Sequence, residues 1–118
     1  MIEVNIETLK FPAGSAAEVS VIRVIGEIDA TNAAIVQQKV LPLSVPGCQI
    51  LLVLADVVYM SSAGLRMLLS LYRQTSAKQG KIVLVGLSDE LKDTMAMTGF
   101  LGYFTVQDTV ENGMQTFS

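Results

Sequence analysis

Ile50-Leu51-Leu52-Val53-Leu54-Ala55 followed by Asp56-Val57-Val58-Tyr59-Met60 and Ser61-Ser62-Ala63-Gly64-Leu65-Arg66 is the stretch that decides the fold. Six consecutive apolar residues, rich in branched side chains and too few for a helix of ordinary length, read as a strand from Gln49 to Ala55 buried on both faces. Leu65, Leu68, Leu69 and Tyr72 then recur at helical spacing, predicting about four turns to Ala77, with Arg66, Ser70, Arg73 and Ala77 as the opposite stripe. A buried strand feeding an amphipathic helix is half of a parallel crossover unit. The junction sets two hydroxyls, Ser61 and Ser62, at a helix N-terminus, where unpaired backbone N–H groups and the peptide dipoles favour an anion such as phosphate.

Working outward, Gly80 is placed to end that helix, and Lys81-Ile82-Val83-Leu84-Val85-Gly86 reads as the next strand. Ser88 caps a third helix that carries Asp89 and Glu90 in its first turn, buries Leu91 and Met95, and stops at Gly99. Tyr103 to Val106 is a short last strand, and Asp108 caps a closing helix through Met114. Upstream, Ile2, Val4, Ile6 and Thr8 alternate as a half-buried strand, and Phe11-Pro12-Ala13-Gly14-Ser15 turns the chain. Glu18 to Ile28 is apolar on both sides and pairs back as a hairpin. Gly26-Glu27-Ile28-Asp29 ends it. Asp29 or Thr31 caps a helix that buries Ala33, Val36 and Val40 before Pro42. The order implies one α/β domain over residues 1–118, with a mixed sheet of four to five strands opening on a hairpin and about four helices.

Composition narrows the function. A chain of 118 residues with 51% apolar and 16% charged residues is globular and long enough to bury about two thirds of its unfolded surface. Its longest apolar run is far below the ~18 residues of a membrane span, and its start lacks a signal-peptide pattern, so a soluble cytoplasmic protein without membrane insertion is expected. A net charge of −3 argues against direct nucleic-acid binding. The four bases Arg66, Arg73, Lys78 and Lys81 lie in a segment without acids, a pattern usual for a solvated helix face. The single Cys48 excludes an internal disulfide and reads as a small buried residue. Met60, Met67 and Met95 read as core filler. Histidine is absent, which removes the usual general base and zinc ligand. A serine hydrolase would need a Ser-Lys pair with Lys78 or Lys81, and no Gly-x-Ser-x-Gly elbow is present. Neither glycine-rich nucleotide fingerprint occurs. No cofactor and no catalytic residue is expected.

From about Val4 to Met114 the chain resembles the STAS domain family, and within it the short bacterial anti-sigma factor antagonists. The resemblance rests on Gly26-Glu27-Ile28-Asp29 and on Tyr59-Met60-Ser61-Ser62-Ala63-Gly64-Leu65, with lesser echoes at Gly80-Lys81 and Met97-Thr98-Gly99-Phe100. It implies a partner switch. The dephosphorylated protein binds an anti-sigma factor that is also a serine kinase and so frees the sigma factor. Phosphorylation of Ser62 ends that binding, and a metal-dependent serine phosphatase restores it. The implied partner-binding residues are Glu27, Asp29, Asp56, Ser61, Ser62, Ala63, Gly64 and Arg66, with Asp29 and Asp56 in loops at the Ser62 end of the sheet. The family's Asp before the phosphoserine is Ser61 here, and its frequent Gly is Arg66, one turn beyond Ser62. A free monomer is expected. The rival implication is a STAS binding module in a non-sigma signalling or transport complex, in which Ser62 need not cycle.

Overall fold

The computed structural model describes residues 2–11, 14 and 17–117. Five strands form one mixed sheet in the order β1 (Ile2–Lys10), β2 (Glu18–Ile28), β3 (Gln49–Met60), β4 (Lys81–Val85) and β5 (Thr105–Gln107). β1 and β2 are antiparallel, and every later neighbour is parallel. The hairpin closes with Phe11 N–H donating to the Ala17 carbonyl at 3.0 Å, while the expected turn residues Pro12, Ala13 and Ser15 lie outside the described residues. α1 (Ala33–Val40), α2 (Ser62–Ala77) and α3 (Asp89–Met97) connect the strands, and α4 (Val110–Gln115) closes the chain.

The apolar run of β3 is buried on both sides, as its composition requires. Ile50, Leu52 and Leu54 join Ile22, Val24, Leu65, Leu68, Leu71 and Met95 beneath α1, α2 and α3. Leu51 and Val53 join Val19, Val21, Val83, Val85 and Met114 on the other face, where Val110 and Phe117 of the closing segment lie. The buried face of α2 is Gly64, Leu65, Met67, Leu68, Leu71 and Thr75, whereas Leu69 and Tyr72, expected to face the core, are only half-buried, and Met60, Met67 and Met95 are all core residues. Tyr103 packs against Tyr72 with ring centroids 5.5 Å apart and the rings tilted by 53°.

Several boundaries differ from expectation for identifiable reasons. β3 does not stop at Ala55 but runs to Met60, because β2 continues to Ile28 and offers it a partner. Two register shifts, between Arg23 and Ile25 and between Gly26 and Glu27, each insert an extra β3 residue. The left-handed residue after α2 is Gln79 at φ 60°, so Gly80 is not the helix stop. Gly80 is needed instead for close approach: a Cβ there would overlap Cys48 Sγ and lie 2.8 Å from the Cys48 carbonyl. Tyr103 belongs to a 3-10 turn (Leu101–Tyr103), and β5 starts only at Thr105. Thr109, not Asp108, caps α4 by accepting from Asn112 N–H at 3.1 Å. Asp108 instead meets Lys92 at 3.1 Å in an exposed ion pair. Cys48 is buried, and that burial pushes its thiol pKa up.

Candidate functional site

The site forms where β2 and β3 end side by side. Ile28 pairs with Met60 as the last step of the parallel ladder, and the Ser61 N–H donates to the Ile28 carbonyl at 2.8 Å. That bond ties the start of α2 to the turn that carries Asp29. Ser61 is extended (φ −79°, ψ 175°) and occupies the N-cap, its Oγ accepting from Gly64 N–H at 3.4 Å and its carbonyl from Leu65 N–H at 3.0 Å. Ser62 is the first residue of the helix and is exposed. Capping thus falls to Ser61 and leaves the Ser62 side chain facing solvent.

Gly64 explains the close seat of this first turn. A Cβ on it would overlap Met60 Cγ and lie 3.0 Å from Ile28 Cγ2. Ala63 is half-buried beside it and packs against the core. Arg66 is exposed one turn along, with no ion pair among the described residues.

Across from the helix start, the Asp29 turn is held by its own polar side chains. Asp29 Oδ1 accepts from the Thr31 hydroxyl and from Thr31 N–H, the latter at 2.9 Å. These donors, the hydroxyl first, hold the Asp29 carboxyl below the ordinary carboxylate value. The expectation that Asp29 or Thr31 caps α1 is corrected accordingly: Asn32 sits at the N-cap, and Asp29 and Thr31 bond each other. Asn32 was not singled out from the sequence, yet its buried amide organises the turn. Its Nδ2 donates to the Glu27 carbonyl at 2.8 Å, and its Oδ1 accepts from Asp29 N–H at 2.9 Å. A capping-type Asn three residues after Asp29 was the available signal.

Glu27 is exposed and paired in register with Tyr59. Asp56 is exposed but stands within β3 opposite Ile25, so its expected place in a loop is corrected. The bulges that lengthen β3 also turn two apolar side chains outward, Val58 at 76% and Tyr59 at 56% exposure. The sequence hid them, because a continuous apolar run reads as buried. The helix side of this end of the sheet therefore carries the exposed Ser62 hydroxyl, the Asp29 turn and the Arg66 guanidinium, while Glu27 and Tyr59, one residue before the buried Ile28 and Met60, alternate to the other face.

The same geometry removes the Ser-Lys alternative. Lys78 is the C-cap of α2, about 24 Å from its start for a helix of 16 residues, and Lys81 Nζ donates to the Thr116 carbonyl at 2.9 Å. Among the described residues no three His, Cys, Asp or Glu side chains group as metal ligands, and no helix is long and apolar enough to cross a membrane.

The anti-sigma-B factor antagonist of Bacillus subtilis (strain 168) is 29% identical over 94 residues, which is 80% of this chain and 86% of that protein. An anti-sigma factor antagonist from Mycobacterium paratuberculosis has the same fold, with a TM-score of 0.75 and 21% identity over 97% of this chain and 93% of its own. The antagonist SpoIIAA in its unphosphorylated form superposes with a TM-score of 0.72 at 18% identity, covering 96% of each chain. The phosphorylated form of this Bacillus cell fate determinant gives 0.68 at 19% identity over 97% and 100%. The STAS domain model matches residues 13–113, a span that includes the Asp29 turn, both serines and Gly64. A match over so much of the chain, on the fold just described, means that this chain belongs to the STAS domain family.

Proposed function

We propose that this protein is an anti-sigma factor antagonist controlled by phosphorylation of Ser62. The observation that carries the reading is the exposed Ser62 side chain on a rigid platform, where Ser61 takes the cap and Gly64 seats the turn. An acceptor serine must be reachable without unfolding its domain, and its surroundings must stay in place when charge is added. Relatives named as antagonists, and SpoIIAA solved with and without phosphate, support the same assignment.

In the dephosphorylated state the pole docks on an anti-sigma factor that is itself a serine kinase, and the sigma factor is released. Glu27, Asp29, Asp56, Ser61, Ala63, Gly64 and Arg66 surround the contact at Ser62. The kinase then transfers the γ-phosphoryl group of ATP to Ser62 Oγ. The O–P bond to ADP breaks, a new O–P bond forms, and the serine proton passes to a base of the kinase. The protein is the substrate of that step, so its lack of histidine is no obstacle. Phosphoserine brings about −1.5 to −2 charges near neutral pH. Beside the Asp29 turn it adds negative charge that repels an acidic partner surface, while the helix N-terminus tolerates it within the fold. Each ~1.4 kcal/mol lost from docking weakens it tenfold. A metal-dependent serine phosphatase resets the switch by hydrolysis, and the cycle runs in the cytoplasm.

The test is mass spectrometry after incubation with the cognate kinase and ATP. One phosphoryl group, about 80 Da, is expected on the wild type and on Ser61→Ala, and none on Ser62→Ala. Phosphate persisting at full stoichiometry in Ser62→Ala refutes the assignment. Ser62→Asp adds one charge where phosphate adds nearly two, so it should weaken docking less than phosphate does. Equal binding by all three forms removes the switch.

A further inference from the structure

α2 holds two bases, Arg66 and Arg73, and no carboxylate along its 16 residues. A helical side chain meets those three and four positions away on either side, which for Arg66 are Ser62, Ala63, Leu69 and Ser70. None of these carries a charge. Ala63 and Leu69 are apolar and half-buried, and Ser70 is engaged by α1, its Oγ accepting from Gln37 Nε2 at 3.0 Å. That leaves Ser62, exposed one turn nearer the helix start.

The elements around the helix start supply Arg66 with no counter-charge. α1 packs on α2, and its charged residue is another base, Lys39. In the turn before α1, Asp29 Oδ1 is held by the Thr31 hydroxyl and amide. Glu27 alternates to the opposite face of the sheet. Asp89 and Glu90 open α3, whose ion pair is the one between Lys92 and Asp108. Among the described residues, then, the exposed Arg66 guanidinium is uncompensated, and the one side chain of its own helix stripe that can become an anion is Ser62.

We propose that a phosphate on Ser62 is clamped by Arg66 of the same helix, which withdraws the guanidinium from the docking surface. This inference rests on Ser62 being the acceptor. The order is the favourable one, with the anion four residues N-terminal to the cation and the helix dipole running the same way. The phosphate oxygens and the planar guanidinium fork allow two parallel N–H···O bonds, which a lysine ammonium does not give. Without phosphate, Arg66 is free to meet a carboxylate of the partner. With it, the helix supplies its own anion. Phosphorylation thus makes two changes at once, adding negative charge beside the Asp29 turn and removing the positive charge that a carboxylate-bearing partner would use. Both groups lie within one turn of a formed helix, so the clamp closes without any movement of the fold.

The test uses the full chain with phosphoserine incorporated at position 62 during translation. No kinase is involved, so a failed clamp is distinct from a wrong acceptor, which the kinase assay reads. Phosphorus-31 NMR follows the second ionisation of the phosphate, ordinarily near about 6. Arg66 favours the dianion, so Arg66→Gln should raise that pKa by about 0.3–0.7, a twofold to fivefold change in the ionisation constant. Asp29, Lys39, Asp89 and Glu90 are the same in every variant and cancel in the difference. Arg66→Lys keeps the charge without the fork and should restore at most about half of the shift. Arg73→Gln, more than two turns from Ser62, should leave the titration unmoved. Withdrawal of the guanidinium is read by phenylglyoxal modification followed by peptide mass mapping. Arg66 should react about twofold to fivefold more slowly in the phosphorylated chain than in the unmodified one, with Arg73 as the unchanged internal reference. An unmoved phosphate pKa in Arg66→Gln, full restoration by Arg66→Lys, or equal Arg66 reactivity with and without phosphate overturns the clamp.

Discussion

Replacing Gly64 by alanine tests whether the platform under Ser62 is as tightly seated as its contacts indicate. Two effects oppose each other. Alanine is the better helix former by about 1 kcal/mol at most, and less in a first turn. Against this, the new methyl overlaps Met60 Cγ and comes within 3.0 Å of Ile28 Cγ2. Neither neighbour can yield cheaply. Ile28 is fully buried and β-branched, hence stiff at χ1, and the Met60 atom in the way is near the base of its side chain, not at the flexible tip. Overpacking of this kind costs about 1–3 kcal/mol, so the net loss should be about 1–2 kcal/mol. With an unfolding entropy of about 2.1 cal/mol/K per residue, a chain of 118 residues loses about 4 °C of melting temperature per kcal/mol. A fall of about 4–8 °C is therefore expected in thermal denaturation followed by circular dichroism. Gly102→Ala is the control, because nothing lies within 4 Å of its added Cβ, and it should stay within about 2 °C of the wild type. A second readout is local: the Ser61 amide, bonded to Ile28 at 2.8 Å, should exchange its hydrogen faster in Gly64→Ala. If Gly64→Ala melts at or above the wild-type temperature with Ser61 exchange unchanged, the first turn of α2 is not pinned between β2 and β3, and the account of how Ser62 is presented fails.

Two further predictions concern the Asp29 turn. Asn32→Ala removes both bonds from the buried amide and orphans the Glu27 carbonyl and the Asp29 N–H, at a cost of about 1–3 kcal/mol readable in urea denaturation. A loss below about 0.5 kcal/mol would mean that the turn holds itself without Asn32. Thr31→Val keeps the Thr31 amide but deletes the hydroxyl that contributes most to lowering the Asp29 pKa, so an NMR titration should find the Asp29 carboxyl shifted up toward its ordinary 3.8. A depressed folded-state pKa stabilises above the unfolded value, and that stabilisation disappears as pH falls through the folded value. The acid-dependent loss attributable to Asp29 should thus be smaller in Thr31→Val, whose folded-state pKa lies closer to the unfolded one, and an unmoved Asp29 titration would contradict the bonding described.

Much of the fold was legible because it rests on local periodicity. The six-residue apolar run of β3, the 3.6-residue recurrence in α2, and Ser88 ahead of two acids each specify an element through neighbours in sequence. Ser61 and Ser62 could likewise be placed at a helix start from sequence alone. The misread positions are those whose role is assigned by residues far along the chain. Asp108 meets Lys92 of α3 while its neighbour Thr109 takes the cap, and Gly80 is required by Cys48, not by its own φ. Asp56 and Tyr59 lie in a strand because β2 extends to pair with them, Val58 is the extra residue between Val57 and Tyr59, and the bulges that re-aim these side chains exist only in that pairing.

The sequence by itself determined the element order, the two-faced burial of the central strands and the presence of a hydroxyl pair at an anion-favouring helix end, since each follows from composition and spacing within a few residues. Only the tertiary structure decided which hydroxyl is left open, which residues flank it, and which strand stands unpaired at the rim of the sheet. Those outcomes depend on contacts between segments tens of residues apart, whose geometry is set by register and close packing and leaves no local trace in the chain.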